Sequence, residues 1–349
     1  MIPTTTIGAY PKPDYVPVTD WFSPKNGDYT SAYEAELAAS GDEADSLFER
    51  AVGEVVGDQV EAGIDVVTDG EIRRENYIHY QCRHMTGFDF SELSEKRMRG
   101  TVNACLPTIR GPVSAASAGP SPLVRDFRLS QSMSDRPVKI TLPGPMTIID
   151  STVDSHYGDD EALGADLARA LNAHVIELVE AGCEYVQIDE PVMARKPAVA
   201  RAHGIEQLAR CFDGVPDEVV RVVHACCGYP NALDEEDYPK ADVGAYIELA
   251  EALDAAPIDQ ISLEDAHRPN ALADLLPRFS NTTVILGVVA IARSRIEPVV
   301  EIRARLASAL DHLPPDRLVA APDCGLGYLS RDMARAKLAN LCEAASTIG

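Results

Sequence analysis

The sequence has few cysteines, few cations and no long apolar run, and each shortage excludes a class of protein. Its 8 cysteines in 349 residues are too sparse for a disulfide scaffold. With 31 lysines and arginines against 55 aspartates and glutamates, the formal charge of -24 argues against binding to nucleic acid or to an anionic membrane. The longest apolar run, residues 284–292, is much shorter than a membrane span of roughly 20 residues. Because the N-terminus has no basic segment followed by an apolar stretch, we expect a cytoplasmic protein without a secretory signal.

Short β-branched segments alternate with longer segments of helical periodicity along the whole chain. We expect strands at residues 4–9, 65–69, 138–142, 185–189, 219–225, 260–264, 283–289 and 318–322. We expect helices at residues 31–62, 161–181, 243–255, 271–279, 297–313 and 331–346. Apolar strands followed by helices are typical of a parallel sheet whose outer face is covered. Eight such strands predict a (β/α)8 TIM barrel, with residues 1–349 as a single domain.

Two further features bear on this architecture. The first predicted strand ends Gly8-Ala9-Tyr10-Pro11 and lacks the Gly-x-Gly-x-x-Gly turn that usually opens a doubly wound sheet, the competing arrangement. The segment around residues 87–133 has neither strand nor helix texture, and we predict that it is an inserted extension or hairpin over the barrel mouth. Such an insertion can be a functional lid or interface, or a simple packing element.

Chemically active side chains collect at the predicted carboxyl ends of the strands, where barrel enzymes place their active sites. His224 and Cys226 stand two residues apart at the end of the fifth strand, so the imidazole and the thiol face the same side of the sheet. Glu264 ends the sixth strand and Cys324 follows the eighth. Two sulfurs, one nitrogen and one oxygen favour zinc over magnesium or calcium. Because these ligands come from three separate strands, a catalytic site is the better interpretation than a structural one.

These motifs together resemble a known family. The order His224-x-Cys226, Glu264, then Pro322-Asp323-Cys324-Gly325-Leu326, with Ile188-Asp189-Glu190-Pro191 upstream, is similar to the catalytic barrel of cobalamin-independent methionine synthases. The resemblance runs from Ile7-Gly8 to Leu326. We expect a single barrel, as in the short members of that family.

The resemblance implies a zinc-dependent methyltransferase that acts on a thiol, with homocysteine as the expected acceptor and methionine as the product. It implies Zn²⁺ ligation by His224, Cys226, Glu264 and Cys324. It also implies an amino-acid site at Ile7, Gly8, Glu71 and Asp189, and catalytic carboxylates at Asp189, Glu190 and Glu71. The donor would be methyl-tetrahydrofolate or a methyl-corrinoid, free or protein-bound. A homo-oligomer is compatible with the sequence.

Three positions depart from the long members of the family. Ala9 replaces a serine of the amino-acid site, and Ser151 replaces a tryptophan near the pterin. Ala290 and Ala292 follow the seventh strand where those enzymes have an aspartate and the histidine proposed as general acid. A methyl on a tertiary amine needs protonation before it can leave, whereas a corrinoid-bound methyl does not. These departures therefore leave the donor open.

Two alternatives follow from the same residues. The zinc barrel also resembles epoxyalkane:coenzyme M transferase, for which Arg268, Arg293 and Arg295 would offer an anion site, although surface cations of an acidic protein are the better explanation of these three residues. The second alternative is a zinc-binding barrel without catalytic activity, which the two alanines at 290 and 292 would support.

Overall fold

A ring of parallel strands forms the centre of the protein, in a computed structural model that describes residues 1–22, 29–98, 102–116, 121–236 and 238–348. The strands are β1 (Val67–Thr68), β2 (Phe88–Met98), β3 (Val102–Ile109), β4 (Val138–Pro143), β5 (Val153–Asp154), β6 (Tyr185–Asp189), β7 (Val220–Ala225), β8 (Gln260–Leu263), β9 (Thr283–Val289) and β10 (Leu318–Pro322). Seven of them form one parallel sheet in the order β1-β4-β6-β7-β8-β9-β10.

The N-terminal segment closes this sheet into a barrel. Thr4 forms a parallel bridge to Ala320 of β10, and Thr5 forms one to Val66, next to β1. The strand predicted at residues 4–9 is thus present as two isolated bridges between the sheet edges. Inside the ring, the side chains of Ile7, Val222 and Ile285 pack together as a buried cluster. The predicted (β/α)8 barrel is confirmed.

Helices cover the outside of the barrel and connect its strands. They are α1 (Tyr29–Ser40), α2 (Ala44–Ala62), α3 (Tyr77–Arg83), α4 (Pro122–Ser132), α5 (Pro145–Asp150), α6 (Asp160–Glu180), α7 (Pro191–Arg195), α8 (Pro197–Val199), α9 (Ile205–Arg210), α10 (Ala245–Asp254), α11 (Leu272–Leu275), α12 (Val299–Leu310) and α13 (Arg331–Ser346). The helix predicted at residues 31–62 is divided by a 3-10 turn at Gly41–Glu43, because Ser40-Gly41-Asp42 has low helix propensity. Among the described residues, no helix has both the length and the apolar character needed to cross a membrane.

The predicted extension is a hairpin, but it is shorter than residues 87–133. Strands β2 and β3 pair antiparallel, and β5 adds to β3 to complete a three-stranded sheet outside the barrel. Helix α4 lies within the predicted extension but packs on α2, α6 and β4, so it belongs to the outer layer of the barrel. Local sequence did not reveal this, because only tertiary contacts distinguish a helix of the outer layer from a helix of the extension. Residues 99–101 and 117–120 of the predicted extension lie outside the described residues.

Candidate active site

A cavity of about 250 Å³ opens at the carboxyl ends of the barrel strands. Its inner end is polar and includes Glu71, Asp189, His224, Cys226 and Cys324. Its walls are largely aromatic and include Trp21, Tyr77 and Tyr229. Ala104 and Leu106 of β3 also line it, so the hairpin covers part of the mouth. Five of the residues that the sequence placed at strand ends therefore share one cavity with an apolar entrance, whereas Glu264 and Glu190 do not line it.

Three predicted metal ligands converge at the inner end of this cavity. The ligand atoms of His224, Cys226 and Cys324 all lie within 4.8 Å of one another. His224 Nε2 lies 3.3 Å from Cys324 Sγ, and His224 Nδ1 is 2.9 Å from the hydroxyl of Ser262 on β8. A hydrogen bond on one ring nitrogen orients the other toward a metal. Hydrogen bonds from the Cys324 thiol and the His224 imidazole hold the pKa of Cys226 well below its ordinary value, despite burial.

Glu264, the fourth predicted ligand, follows β8 and is 3% exposed. Among the described residues, Glu264 does not belong to the close group that His224, Cys226 and Cys324 form. Its Oε2 accepts a hydrogen bond of 3.1 Å from the amide of Cys227, whereas Oε1 is buried with no hydrogen-bond partner among the described residues. Burial, followed by the negative charge of Cys226, raises the pKa of Glu264 to about 7. A buried carboxylate oxygen that lacks a partner beside two thiols and an imidazole fits a zinc ion.

The predicted amino-acid site lies beside this group. Glu71 Oε1 accepts a hydrogen bond of 2.8 Å from the hydroxyl of Thr141. A Cβ on Gly8 would lie only 2.7 Å from that oxygen, so the close approach of the carboxylate requires glycine. Gln187 Nε2 donates to Asp189 Oδ1 at 2.7 Å and to the carbonyl of Ile7 at 2.8 Å. The structure therefore brings Ile7, Gly8, Glu71 and Asp189 together along one side of the cavity.

Burial dominates the charge state of the two carboxyl groups that face this side. It raises the pKa of Asp189 to about 7, although the nearby His224 opposes the shift. Burial also raises the pKa of Glu71, against the pull of the Arg74 guanidinium. A cation that enters the cavity would therefore lower the pKa of both groups, because a positive charge favours the carboxylate form.

Glu190, which the sequence predicts as a catalytic carboxylate, lies apart from Glu71 and Asp189. It is fully buried and does not line the cavity. Its Oε1 accepts from the amide of Met146 at 2.9 Å, and its Oε2 accepts from the amide and the hydroxyl of Thr147 at 3.1 and 2.8 Å. Asp189, the last residue of β6, faces the cavity, whereas the carboxylate of Glu190, which follows the strand, points to the start of α5. Its carboxylate holds the start of α5.

The three arginines considered for an anion site do not line the cavity. The Arg268 guanidinium contacts the Cys227 thiol and the carbonyl of Ala241, and Arg295 pairs with Glu301. Of the positions that depart from the long family members, Ala9 and Ser151 do line it. The epoxyalkane-transferase alternative therefore loses its proposed sulfonate-binding group.

Sequence reasoning missed Ser262, Trp21 and Tyr229. Ser262 lies two residues before Glu264 on a predicted strand, so the period of two could have identified it as facing inward. Trp21 stacks on Tyr229 with ring centroids 6.2 Å apart, and the Tyr229 hydroxyl donates to the carbonyl of Gly325 at 2.6 Å. No local pattern brings these two aromatic residues together, because they are about two hundred positions apart.

Two thiols, an imidazole and carboxylates at the carboxyl ends of the strands are typical of a barrel enzyme with a catalytic metal site. Comparisons with known proteins define the family. A model described as "Cobalamin-independent synthase, Catalytic domain" matches residues 2–210 and 236–347. The chain belongs to this family, as its sequence motifs predicted, and it is a methyltransferase.

Individual relatives match nearly the whole chain. A methionine synthase of Saccharolobus islandicus is 29% identical over 351 residues, which cover 100% of this chain and 95% of that protein. A methionine synthase of Sulfurisphaera tokodaii is 30% identical and covers 98% of this chain and 90% of its own length. The structure of a B12-independent methionine synthase from Shewanella sp. W3-18-1, in complex with selenomethionine, superposes with a TM-score of 0.85 at 31% identity. It covers 99% of this chain and 97% of its own.

Proposed function

We propose that this protein is a single-barrel, zinc-dependent methyltransferase that methylates the thiol of homocysteine to give methionine. The observation that carries the proposal is the convergence of His224, Cys226 and Cys324 within 4.8 Å at the inner end of the cavity. These three residues would hold the zinc, with Glu264 as the fourth ligand. When bound, zinc would lower the pKa of a coordinated thiol enough to give a thiolate near neutral pH. Assembly as a homo-oligomer stays a prediction.

The protein itself would bind and orient the amino acid. In this proposal, the carboxylates of Glu71 and Asp189 accept hydrogen bonds from the substrate ammonium, while the backbone at Ile7 and Gly8 meets its carboxylate. A cation between two carboxyl groups whose pKa is raised by burial stabilises their ionised form. The complex of the Shewanella relative with selenomethionine, an analogue of methionine, supports an amino-acid site in a barrel of this kind.

The loop after β9 bears on the methyl donor. Ala290 and Ala292 stand in this loop, and the amides of Ile291 and Ala292 both donate to His267 Nε2, at 3.1 and 3.2 Å. Burial lowers the pKa of His267 to about 4, so its imidazole is neutral near pH 7. The two alanines and the neutral imidazole beside them therefore supply no general acid for a tertiary amine, and a folate donor requires such an acid. A methyl-corrinoid has no such requirement, and we propose to test both donors.

The experiment combines metal analysis with a donor comparison. Purified wild type should contain close to one zinc per chain, and Cys324→Ser should contain much less. Wild type should methylate homocysteine with methylcobalamin or methyl-tetrahydrofolate, and Cys324→Ser should not. Equal and full zinc content in both proteins would refute the ligand assignment. If zinc-loaded wild type produces no methionine with either donor, then homocysteine is not the acceptor or neither compound is the donor.

A direct thiol titration separates this enzyme from a zinc-binding barrel without activity. Cobalt substituted for zinc develops a thiolate-to-metal absorption band when a thiol binds. The intensity of that band should rise with homocysteine concentration and then saturate, whereas a barrel without a substrate site would show no change. Glu71→Gln should weaken the response to homocysteine but retain the band from Cys226 and Cys324.

A further inference from the structure

The carboxylate of Asp323, next to Cys324, holds the loop that follows Glu264. Asp323 is 1% exposed. Its Oδ1 accepts from the amides of Asp265 and Ala266, both at 2.9 Å, and its Oδ2 accepts from the amide of His267 at 2.6 Å. Three successive amides of one loop therefore converge on one carboxylate. Both oxygens of Asp323 therefore accept hydrogen bonds from the backbone, and the side chain faces the loop rather than the cavity.

This contact passes over an intervening strand. Asp323 follows β10 and the loop follows β8, while β9 lies between these two strands in the sheet. The crossing occurs at Gly287 of β9, where a Cβ would lie 2.7 Å from Asp323 Cα and 3.1 Å from the carbonyl oxygen of Leu263. Such distances exclude a side chain. Glycine at this position is therefore what lets the carboxylate of Asp323 reach the other strand.

The end of β10 is also shaped for this contact. The register between β9 and β10 shifts between Ala321 and Pro322, immediately before Asp323. The amide of Asp323 then donates to the carbonyl of Val289 at 2.9 Å. The shift carries the end of β10 out of regular pairing, and bulges of this kind commonly re-aim side chains beside active sites.

We propose that Asp323 is a positioning residue that keeps Glu264 and Cys324 at a constant distance. Its backbone carries the Cys324 thiol, and its side chain fixes the loop that begins directly after Glu264. One residue thus links two proposed ligands that lie on strands separated by β9, and Gly287 makes the link sterically possible. The inference rests on the proposed zinc site and deepens it.

Asp254 provides a matched control at the opposite end of the barrel. It is 8% exposed and accepts hydrogen bonds from the amides of Ser280, Asn281 and Thr282 at 3.0, 2.9 and 2.8 Å. These residues precede β9, so this carboxylate holds a loop at the amino ends of the strands. Each aspartate accepts hydrogen bonds from three backbone amides, and replacement by asparagine removes one of its two acceptor oxygens. Only one of the two sites lies beside the proposed ligands.

The test measures zinc affinity by competition with a chromophoric chelator for wild type, Asp323→Asn, Gly287→Ala and Asp254→Asn. Asp323→Asn and Gly287→Ala should each weaken zinc binding about 10- to 100-fold, the usual effect of lost ligand support. Asp254→Asn should bind zinc like wild type, although all three variants lose thermal stability. The d–d bands of the cobalt-substituted Asp323→Asn protein should change in intensity, whereas those of Asp254→Asn should not.

The possible failures are distinct. If wild type and Asp323→Asn bind zinc equally, the positioning role is wrong while the zinc site stands. If wild type itself binds no zinc, the proposed function fails and this inference fails with it. If Asp323→Asn does not fold, Gly287→Ala decides the question, because it disturbs the crossing and leaves the carboxylate in the chain.

Discussion

Replacing Gly8 with alanine should impair substrate binding and leave the fold intact. The new Cβ would lie 2.7 Å from Glu71 Oε1, and ordinary van der Waals contact begins at 3.4 Å, so the carboxylate must retreat by about 0.7 Å. Thr141 Cγ2 would be 3.6 Å away, which is unstrained. Because Glu71 Oε1 is the end of a flexible side chain, its retreat costs little stability. The retreat does disrupt its hydrogen bond of 2.8 Å from Thr141 and its position against the substrate.

The expected size follows from the interaction lost. A hydrogen bond between charged groups contributes about 1.5 to 3 kcal/mol, which corresponds to a loss of about 10- to 100-fold in kcat/KM for homocysteine. Initial rates at varied homocysteine give this value, and zinc content and unfolding temperature should match those of wild type. Gly57→Ala is the control, because a Cβ there meets nothing within 4 Å. It should be active and slightly more stable, since alanine is the better helix former. An unchanged KM for homocysteine in Gly8→Ala would refute the placement of the ammonium at Glu71.

Three further predictions concern single side chains. Ser262→Ala removes the partner of His224 Nδ1 at 2.9 Å and should weaken zinc binding about 10-fold or more in chelator competition; equal affinity would contradict an orienting role. Glu190→Gln should lower the free energy of unfolding in urea by about 1 to 3 kcal/mol, because Glu190 holds buried amides of α5, while the KM for homocysteine stays unchanged; a large rise in KM with full stability would restore it to the catalytic group. Although burial opposes the shift, amides of Thr282 and Asn281 lower the pKa of Asp254 to about 2, so its ionised form stabilises the fold above its unfolded pKa near 3.8. That stability, about 2 kcal/mol, should be lost as the pH falls from about 4 through 2; Asp254→Asn should lose this part of the acid dependence, and an identical acid profile would contradict the assignment.

Much of the barrel was predictable because its signals are local. A strand of a barrel is apolar along its length, and its helix follows within a few residues, so strand β6 and helix α13 occur at the predicted bounds. The period of two also predicted that His224 and Cys226 share a face, and parallel strands bring their carboxyl ends to one rim. The closeness of these residues to Cys324, a hundred positions later, follows from that rim.

Other features depend on contacts that no local pattern encodes. The sequence predicts Glu190 as a catalytic group because it adjoins Asp189, but in the folded chain its carboxylate accepts hydrogen bonds from the amides of Met146 and Thr147. The sequence assigns the residues of α4 to the extension, whereas the contacts of this helix with α2 and α6 show that it belongs to the outer layer.

Sequence alone thus determined the fold class, the family and the set of side chains at the rim, since each depends on residue type and on spacing along one strand. Only the tertiary structure decided which carboxylates face the cavity and how the rim is held together. The Asp323 carboxylate reaches the loop after Glu264 because Gly287 leaves space above a strand in between. That arrangement joins the ends of three consecutive strands, and their mutual position is set by the twist and register of the closed barrel rather than by any one segment.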